Sequence, residues 1–156
     1  MIEGQAITPA LTKFELRGRF IDCFARIEDH LAATLERLIL IEHCKKTPYL
    51  FGDKFELIRA TASVDGVWQH PHHVAPILDQ LDKYAKLRGL ICHGVITETS
   101  LGEESAFSIR GPGQNYWEER KVITFSECSE MLRYLEALTG KLLKQSVKSW
   151  SKPQTL

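Results

Sequence analysis

The longest hydrophobic pattern of the chain lies in its first third. Apolar residues recur there at steps of three and four, at Phe20, Phe24, Ile27, Leu31, Leu35 and Leu38. This spacing places them on one stripe, so we predict an amphipathic helix over much of residues 10–44. Pro48 cannot continue a helix and closes the segment. Glu28 lies on the flank of the stripe, where an acid is either a rim residue or the partner of a buried cation.

Two further helical patterns follow. A short helix is predicted from about Asp53 to Ala62, and a longer one from about His73 to His93. Gly94 comes directly afterwards, at the position where a residue in the left-handed conformation commonly ends a helix. The inward face of the longer helix is predicted to consist of Val74, Ile77, Leu78, Leu81, Ala85 and Cys92.

Between residues 95 and 125 the period changes to that of strands. Val95–Thr99 and Ala106–Arg110 predict two strands joined by a turn at Gly102, and Arg120–Phe125 predicts a third. A last helix then begins at Thr124 or Ser126, either of which can cap it, and is predicted to end near Trp150.

The predicted fold is therefore mostly helical. It is a four-helix bundle with a small β-hairpin or three-stranded insertion before the last helix. We expect one domain over residues 1–150, with the insertion at about 95–125 and a flexible tail at 151–156.

Composition and charge narrow the class of protein. Lysine and arginine number 20, as do aspartate and glutamate, so the net charge is zero, which disfavours broad non-specific binding to nucleic acid and leaves room for a local basic patch. No apolar run approaches the roughly 20 residues that span a bilayer. The first residues lack the basic region and apolar core of a secretory signal. We expect a cytoplasmic protein with buried free cysteines, no membrane contact, no metal and no cofactor.

The chemistry of the chain is concentrated in Arg88 and His93, five positions apart near the end of the longer helix. Arginine holds phosphate oxygens with a rigid fork of donors, and histidine moves protons near neutral pH. Five residues turn a helix by about 140° and advance it by about 7.5 Å, so the two side chains of one chain do not converge on one atom. Two chains related by a two-fold axis can bring both pairs into one cleft. A purely structural alternative pairs Arg88 with Glu28 and lets His93 cap helix carbonyls.

The run Arg88-x4-His93-Gly94 resembles the HEPN domain family, whose motif is an arginine followed within a few residues by a histidine, late in a helix. The segments Phe24–Leu31 and Phe51–Glu56 and the variable region before the last helix are also similar to that family. The resemblance covers residues 14–146, and the motif is its specific part. Catalytic members of the family are metal-independent ribonucleases, commonly toxins or defence components, that work as dimers.

The resemblance implies roles for the site residues. Arg88 would bind the scissile phosphate, and His93 would take the proton from a ribose 2′-hydroxyl, leaving a 2′,3′-cyclic phosphate. Glu28 and Gly94 would support the site. The implied partners are a second copy of the chain, RNA or a nucleotide, and a nucleotidyltransferase-like antitoxin. Catalytic members usually carry a polar residue after the arginine, where this chain has Gly89. The alternative is therefore a non-catalytic module that binds nucleotide, RNA or protein through the same cleft.

Two other places carry weaker signals for RNA binding. Trp68 stands beside His70, His72 and His73, and either contacts bases by stacking or packs in a polar loop. On the β insertion, Trp117 stands near Arg120 and Lys121, an alternation of aromatic and basic side chains that suits RNA or the packing of a flap.

Overall fold

The computed structural model describes residues 11–40, 44–112 and 118–148. Within them the chain forms helices α1 (Lys13–Leu40), α2 (Phe51–Thr61), α3 (Pro71–His93) and α4 (Phe125–Leu143), and strands β1 (Val95–Leu101), β2 (Glu104–Pro112) and β3 (Glu118–Thr124). The prediction of a mostly helical fold with a three-stranded antiparallel sheet before the last helix is confirmed. Among the described residues, no helix is both long enough and apolar enough to cross a membrane.

The pattern of α1 explains its burial. All six apolar residues of its predicted stripe are at most 3% exposed, while the positions between them carry the charges. The helix begins after Thr12, whose hydroxyl accepts a hydrogen bond from the backbone N–H of Glu15 at 3.0 Å. This contact satisfies one of the amide donors that a helix leaves unpaired at its first turn.

The strands form one sheet in the order β1-β2-β3, with antiparallel neighbours throughout. The turn between β1 and β2 has Gly102 at φ 63°, a left-handed conformation that glycine adopts without steric cost. One face of the sheet carries four buried apolar side chains, those of Ile96, Phe107, Ile109 and Ile123. Phe107 also stacks on Phe125, with ring centroids 4.4 Å apart, which joins β2 to the start of α4.

Packing divides the chain into two compact units. The first takes the described residues within 1–21 and 88–133, and therefore contains the whole sheet and the end of α3. The second takes those within 22–87 and 134–156. Each unit has its own buried aromatic anchor, Phe107 in the first and Trp68 in the second, both at most 1% exposed. The predicted single domain over residues 1–150 stays a prediction.

The last helix is shorter than its pattern predicts. It ends at Leu143 and does not reach the neighbourhood of Trp150, which lies outside the described residues together with the predicted tail. In the second unit, Val147 instead pairs with Trp68 as an isolated β-bridge. The backbone N–H of Lys148 donates to the carbonyl of Val67 at 2.7 Å. A segment whose backbone groups bond across to another segment cannot also continue the helical ladder.

Candidate functional site

Arg88 and His93 both lie on α3 and both belong to the first unit. The helix is continuous from one to the other, so the 140° separation expected between the two side chains holds for the folded chain. Arg88 is half-buried, whereas His93 is exposed in the last turn. An imidazole that acts on a substrate must be reachable from solvent, and His93 meets that condition.

Arg17 is the member of this site that the sequence analysis missed. From the first turns of α1, its Nε donates to the carbonyl of Ile91 at 3.0 Å, and its Nη2 donates to the carbonyl of Gly94. A cation that bonds the last carbonyls of a helix caps it and opposes the negative end of the helix dipole. The carbonyls of Ile91 and Gly94 are thus capped by Arg17. His93, which the structural alternative proposed as a cap, is not needed for these two carbonyls.

A signal for Arg17 was present in the chain. It sits directly after Leu16, a fully buried residue one turn before Phe20, and therefore on the flank of the buried stripe. A cation at the flank of such a stripe needs acceptors, as Glu28 on the same flank needs donors. The acceptors of Arg17 are 74 and 77 positions away along the chain, so no local pattern identifies them.

Gly94 lies where the backbone of β2 closely approaches the end of α3. The sequence predicted a left-handed cap, but within the described residues a positive φ occurs at Gly66 and Gly102 and not at Gly94. A β-carbon at position 94 would instead overlap the carbonyl oxygen of Leu90 and lie 3.0 Å from that of Arg110. The end of α3 and β2 come together here at a distance that only glycine permits.

The pKa of the Cys92 thiol is affected by the positive charges near the end of α3. Burial raises the pKa of Cys92 above its ordinary value, and the positive charges of Arg88 and Arg17 act in the opposite direction. The two arginines are therefore close enough to the same side chain to act on its ionisation. Cys92 and Cys44 are half-buried, in contrast to the predicted full burial, while Cys23 and Cys128 are buried.

A cavity of about 250 Å³ adjoins the end of α3. It is lined by Lys13, Phe14, Arg17, Gly94, Val95 and Ile96. The Nζ of Lys13 lies 5.3 Å from the centroid of the Phe14 ring, and that ring is 75% exposed. An exposed aromatic ring with two cations beside it suits a single-stranded nucleic acid, whose bases stack and whose phosphates attract cations.

Two of the remaining sequence-derived candidates, Glu28 and Trp68, belong to the second unit. Glu28 accepts a hydrogen bond from the Nζ of Lys54 at 3.0 Å. Trp68 is 1% exposed and its Nε1 donates to Thr61 at 3.3 Å. A ring so deeply covered offers no face to a base, so the packing alternative applies to Trp68. Trp117 lies outside the described residues.

The two neighbouring cations of β3, Arg120 and Lys121, do not lie on the same face of the sheet. Arg120 and Lys121 are both exposed, but successive side chains of a strand point to opposite faces. Arg120 shares the face of Val95 and Arg110, whereas Lys121 pairs with Ile109. The predicted RNA platform is thus divided between the two faces of the sheet.

The three histidines before and within the first turn of α3 lie close together, with ring centroids 4.4–6.4 Å apart. Among the described residues, however, no three histidine, cysteine, aspartate or glutamate side chains are arranged to hold a metal ion.

Comparisons with protein-family models, with curated proteins and with solved structures found no match for this chain. Its function is accordingly inferred from its own residues and their geometry.

Proposed function

We propose that the protein is a HEPN-like homodimer that acts on RNA as a metal-independent endoribonuclease. The observation that carries the proposal is the end of α3, where an exposed His93 follows a half-buried Arg88 on one continuous helix. The cations Lys13 and Arg17 and the exposed ring of Phe14 line a cavity beside the next residue, Gly94. In RNA cleavage without a metal, a histidine can act as the base, an arginine can stabilise the phosphate charge, and an aromatic ring can hold a base by stacking.

The proposed mechanism is an internal transesterification. Arg88 donates charge-assisted hydrogen bonds to the scissile phosphate and stabilises the negative charge that grows there. His93 takes the proton of the 2′-hydroxyl, and the 2′ oxygen forms a bond to phosphorus. The bond from phosphorus to the 5′ oxygen breaks, and that oxygen takes a proton from a water molecule and leaves as a hydroxyl. The protonated His93 then gives its proton to the hydroxide that remains, which restores the neutral base. The products are a 2′,3′-cyclic phosphate and a 5′-hydroxyl end.

Cleavage of a labelled single-stranded RNA in EDTA tests the proposal. The wild type should produce cyclic phosphate ends, and both Arg88→Ala and His93→Ala should abolish them, since general-base catalysis alone contributes about 10²–10⁴-fold. Arg26→Ala and His73→Ala serve as matched controls, because both residues are exposed and belong to the second unit. Wild-type protein that leaves the RNA intact, or His93→Ala that still cleaves it, would refute the nuclease.

A non-catalytic binding module is the second candidate, and Gly89 favours it. This residue is exposed, and the space around its Cα is open, so no side chain supplies a polar group beside Arg88 at that position. The module predicts RNA or nucleotide binding that depends on Arg88 and no cleavage. The nuclease assay and a binding assay on the same variants separate the two candidates.

A further inference from the structure

The face of the sheet opposite its apolar core carries a pair of arginines. Val95, Arg110 and Arg120 occupy one cross-strand row, each directly opposite its neighbour in the antiparallel register. Directly opposed residues have their β-carbons about 4.5–5.5 Å apart. The guanidinium groups of Arg110 and Arg120 therefore start from adjacent points on the same face.

The next row on the same face of the sheet places two hydroxyl groups beside these arginines. Thr97 is opposite Ser108, and both lie on the face of Arg110 and Arg120. Ser108 is only 5% exposed, and its Oγ accepts a hydrogen bond from the Nε of Arg120 at 3.2 Å. This bond fixes the stem of the Arg120 guanidinium and leaves the hydroxyl proton of Ser108 to be donated elsewhere.

These five residues enclose a cavity of about 170 Å³, lined by Val95, Thr97, Ser108, Arg110 and Arg120. None of the lining residues is acidic. By register, Glu118 of β3 shares this face two residues from Arg120, and Glu104 shares it six residues from Arg110 along β2, about 20 Å away at the rise of a strand. The Oε1 of Glu104 also accepts a hydrogen bond from the hydroxyl of Ser126. The hydroxyl of Thr97 donates to the backbone carbonyl of Ser108 at 3.5 Å, so the cavity combines two cations with one hydroxyl proton to donate, that of Ser108.

The size and chemistry of this cavity select its ligand. Pockets for whole small molecules usually measure about 300–1,000 Å³, so a cavity of this volume fits one chemical group. Two guanidinium forks and a hydroxyl match the oxygens of a phosphate group. The geometry points to a binding site for a backbone phosphate of single-stranded RNA on this face of the sheet.

The position of the cavity connects it to the end of α3. Val95 lines both this cavity and the one formed with Lys13, Phe14 and Arg17, so the two cavities are neighbours in the first unit. An RNA strand held by Arg110 and Arg120 can continue along this surface toward the helix end that carries His93. The inference deepens the proposed function, on which it rests, by assigning a path for the RNA substrate.

The test measures RNA binding separately from cleavage. Full-length His93→Ala is titrated against a labelled single-stranded RNA, and binding is followed by fluorescence anisotropy at several salt concentrations. Adding Arg110→Gln and Arg120→Gln should weaken binding by at least about tenfold and reduce the slope of log affinity against log salt by about 0.7 for each phosphate that the variant no longer binds. Adding Arg26→Gln and Arg133→Gln, two exposed arginines outside the cavity, removes the same charge and should leave the affinity unchanged.

Each outcome decides the inference. An equal decrease of affinity in both double variants would assign the effect to net charge and overturn the site, as would a His93→Ala parent that binds no RNA at low salt.

Inorganic phosphate, titrated by calorimetry, gives the other source of the same chemistry. Arginine-dependent phosphate binding without an effect on RNA would make this a free-phosphate site and refute the RNA path. If RNA binding depends on the two arginines but the wild type does not cleave, the site stands and the nuclease fails. Thermal unfolding of each variant confirms that the sheet is intact.

Discussion

Two glycines near the end of α3, Gly89 and Gly94, differ in how much space surrounds them. Gly89 is exposed, and a β-carbon there would meet nothing within 4 Å. Gly94 is buried between the carbonyl oxygens of Leu90 and Arg110. The same substitution at the two positions therefore separates the intrinsic cost of glycine in a helix from the need for close backbone approach.

Gly94→Ala should lower the free energy of unfolding by about 1–3 kcal/mol, because the added methyl group has to displace backbone atoms rather than a flexible side chain. Gly89→Ala should raise it by up to about 1 kcal/mol, since alanine favours the helix and meets no obstacle. Urea unfolding followed by circular dichroism measures both. Equal effects at the two positions would show that the close approach at Gly94 relaxes without cost.

Gly89 also allows a test of activity. If the missing polar side chain after Arg88 weakens catalysis, Gly89→Asn should raise the rate of RNA cleavage on the order of tenfold, which corresponds to about one added hydrogen bond in the transition state. Gly89→Ala is the matched control, because it changes helix propensity without adding a polar group. An increase shared by both variants would indicate a stiffer helix and not an orienting contact.

At the scale of elements, α4 depends on a reciprocal cap. The backbone N–H of Glu127 donates to the hydroxyl of Thr124 at 3.2 Å, and the backbone N–H of Thr124 donates to a carboxylate oxygen of Glu127 at 2.9 Å. This arrangement is a capping box. Thr124→Ala should destabilise the fold by about 1 kcal/mol, whereas Ser129→Ala, further along the helix, should have little effect in the same unfolding assay.

The cap also gives the stability of the protein a pH dependence. The backbone N–H and then the hydroxyl of Thr124 hold the pKa of Glu127 below its ordinary value. A lowered pKa stabilises the fold while the carboxylate is charged, and this contribution disappears as the pH falls through the lowered value. At neutral pH the free energy of unfolding should therefore be larger for the wild type than for Glu127→Gln. In acid the two free energies should become equal. Glu130→Gln, which removes another exposed carboxylate of α4, is the control for the loss of one charge.

The elements show which parts of the fold a sequence can reveal. The stripe of α1 and the alternation in the strands are local patterns, and both predicted the correct element types. The ends of elements were less predictable. The helix α4 stops at Leu143, and the segment that follows pairs through Val147 with Trp68, a residue far away in the sequence. The candidate site divides in the same way. Arg88 and His93 are close in sequence, so their spacing alone proposed them as candidates, whereas Arg17 bonds a carbonyl 74 residues away and was missed.

At the scale of the whole molecule, the proposed dimer needs a surface. Gly18 and Ile21 lie about one turn apart on α1 and are both exposed, so they form a short apolar stripe in the first unit beyond the Phe14 ring that is proposed to stack on RNA. If this stripe lies in the dimer interface, Ile21→Glu should shift the protein from dimer to monomer in light scattering. Val64 has the same exposure of 42% but lies in the second unit, so Val64→Glu is a matched control. A wild type that is monomeric at all concentrations would contradict the proposal directly.

A dimer with a shared cleft also predicts complementation between inactive variants. Because about 140° separates Arg88 from His93 on their helix, we expect the arginine of one chain to serve the histidine of the other. Arg88→Ala and His93→Ala, each inactive alone, should regain cleavage when they are refolded together. About half of the dimers are then mixed, and each mixed dimer holds one of its two pairs intact, so the recovered activity should be about a quarter of the wild type. If the two residues instead act within one chain, a mixed dimer contains no complete pair and the mixture stays inactive.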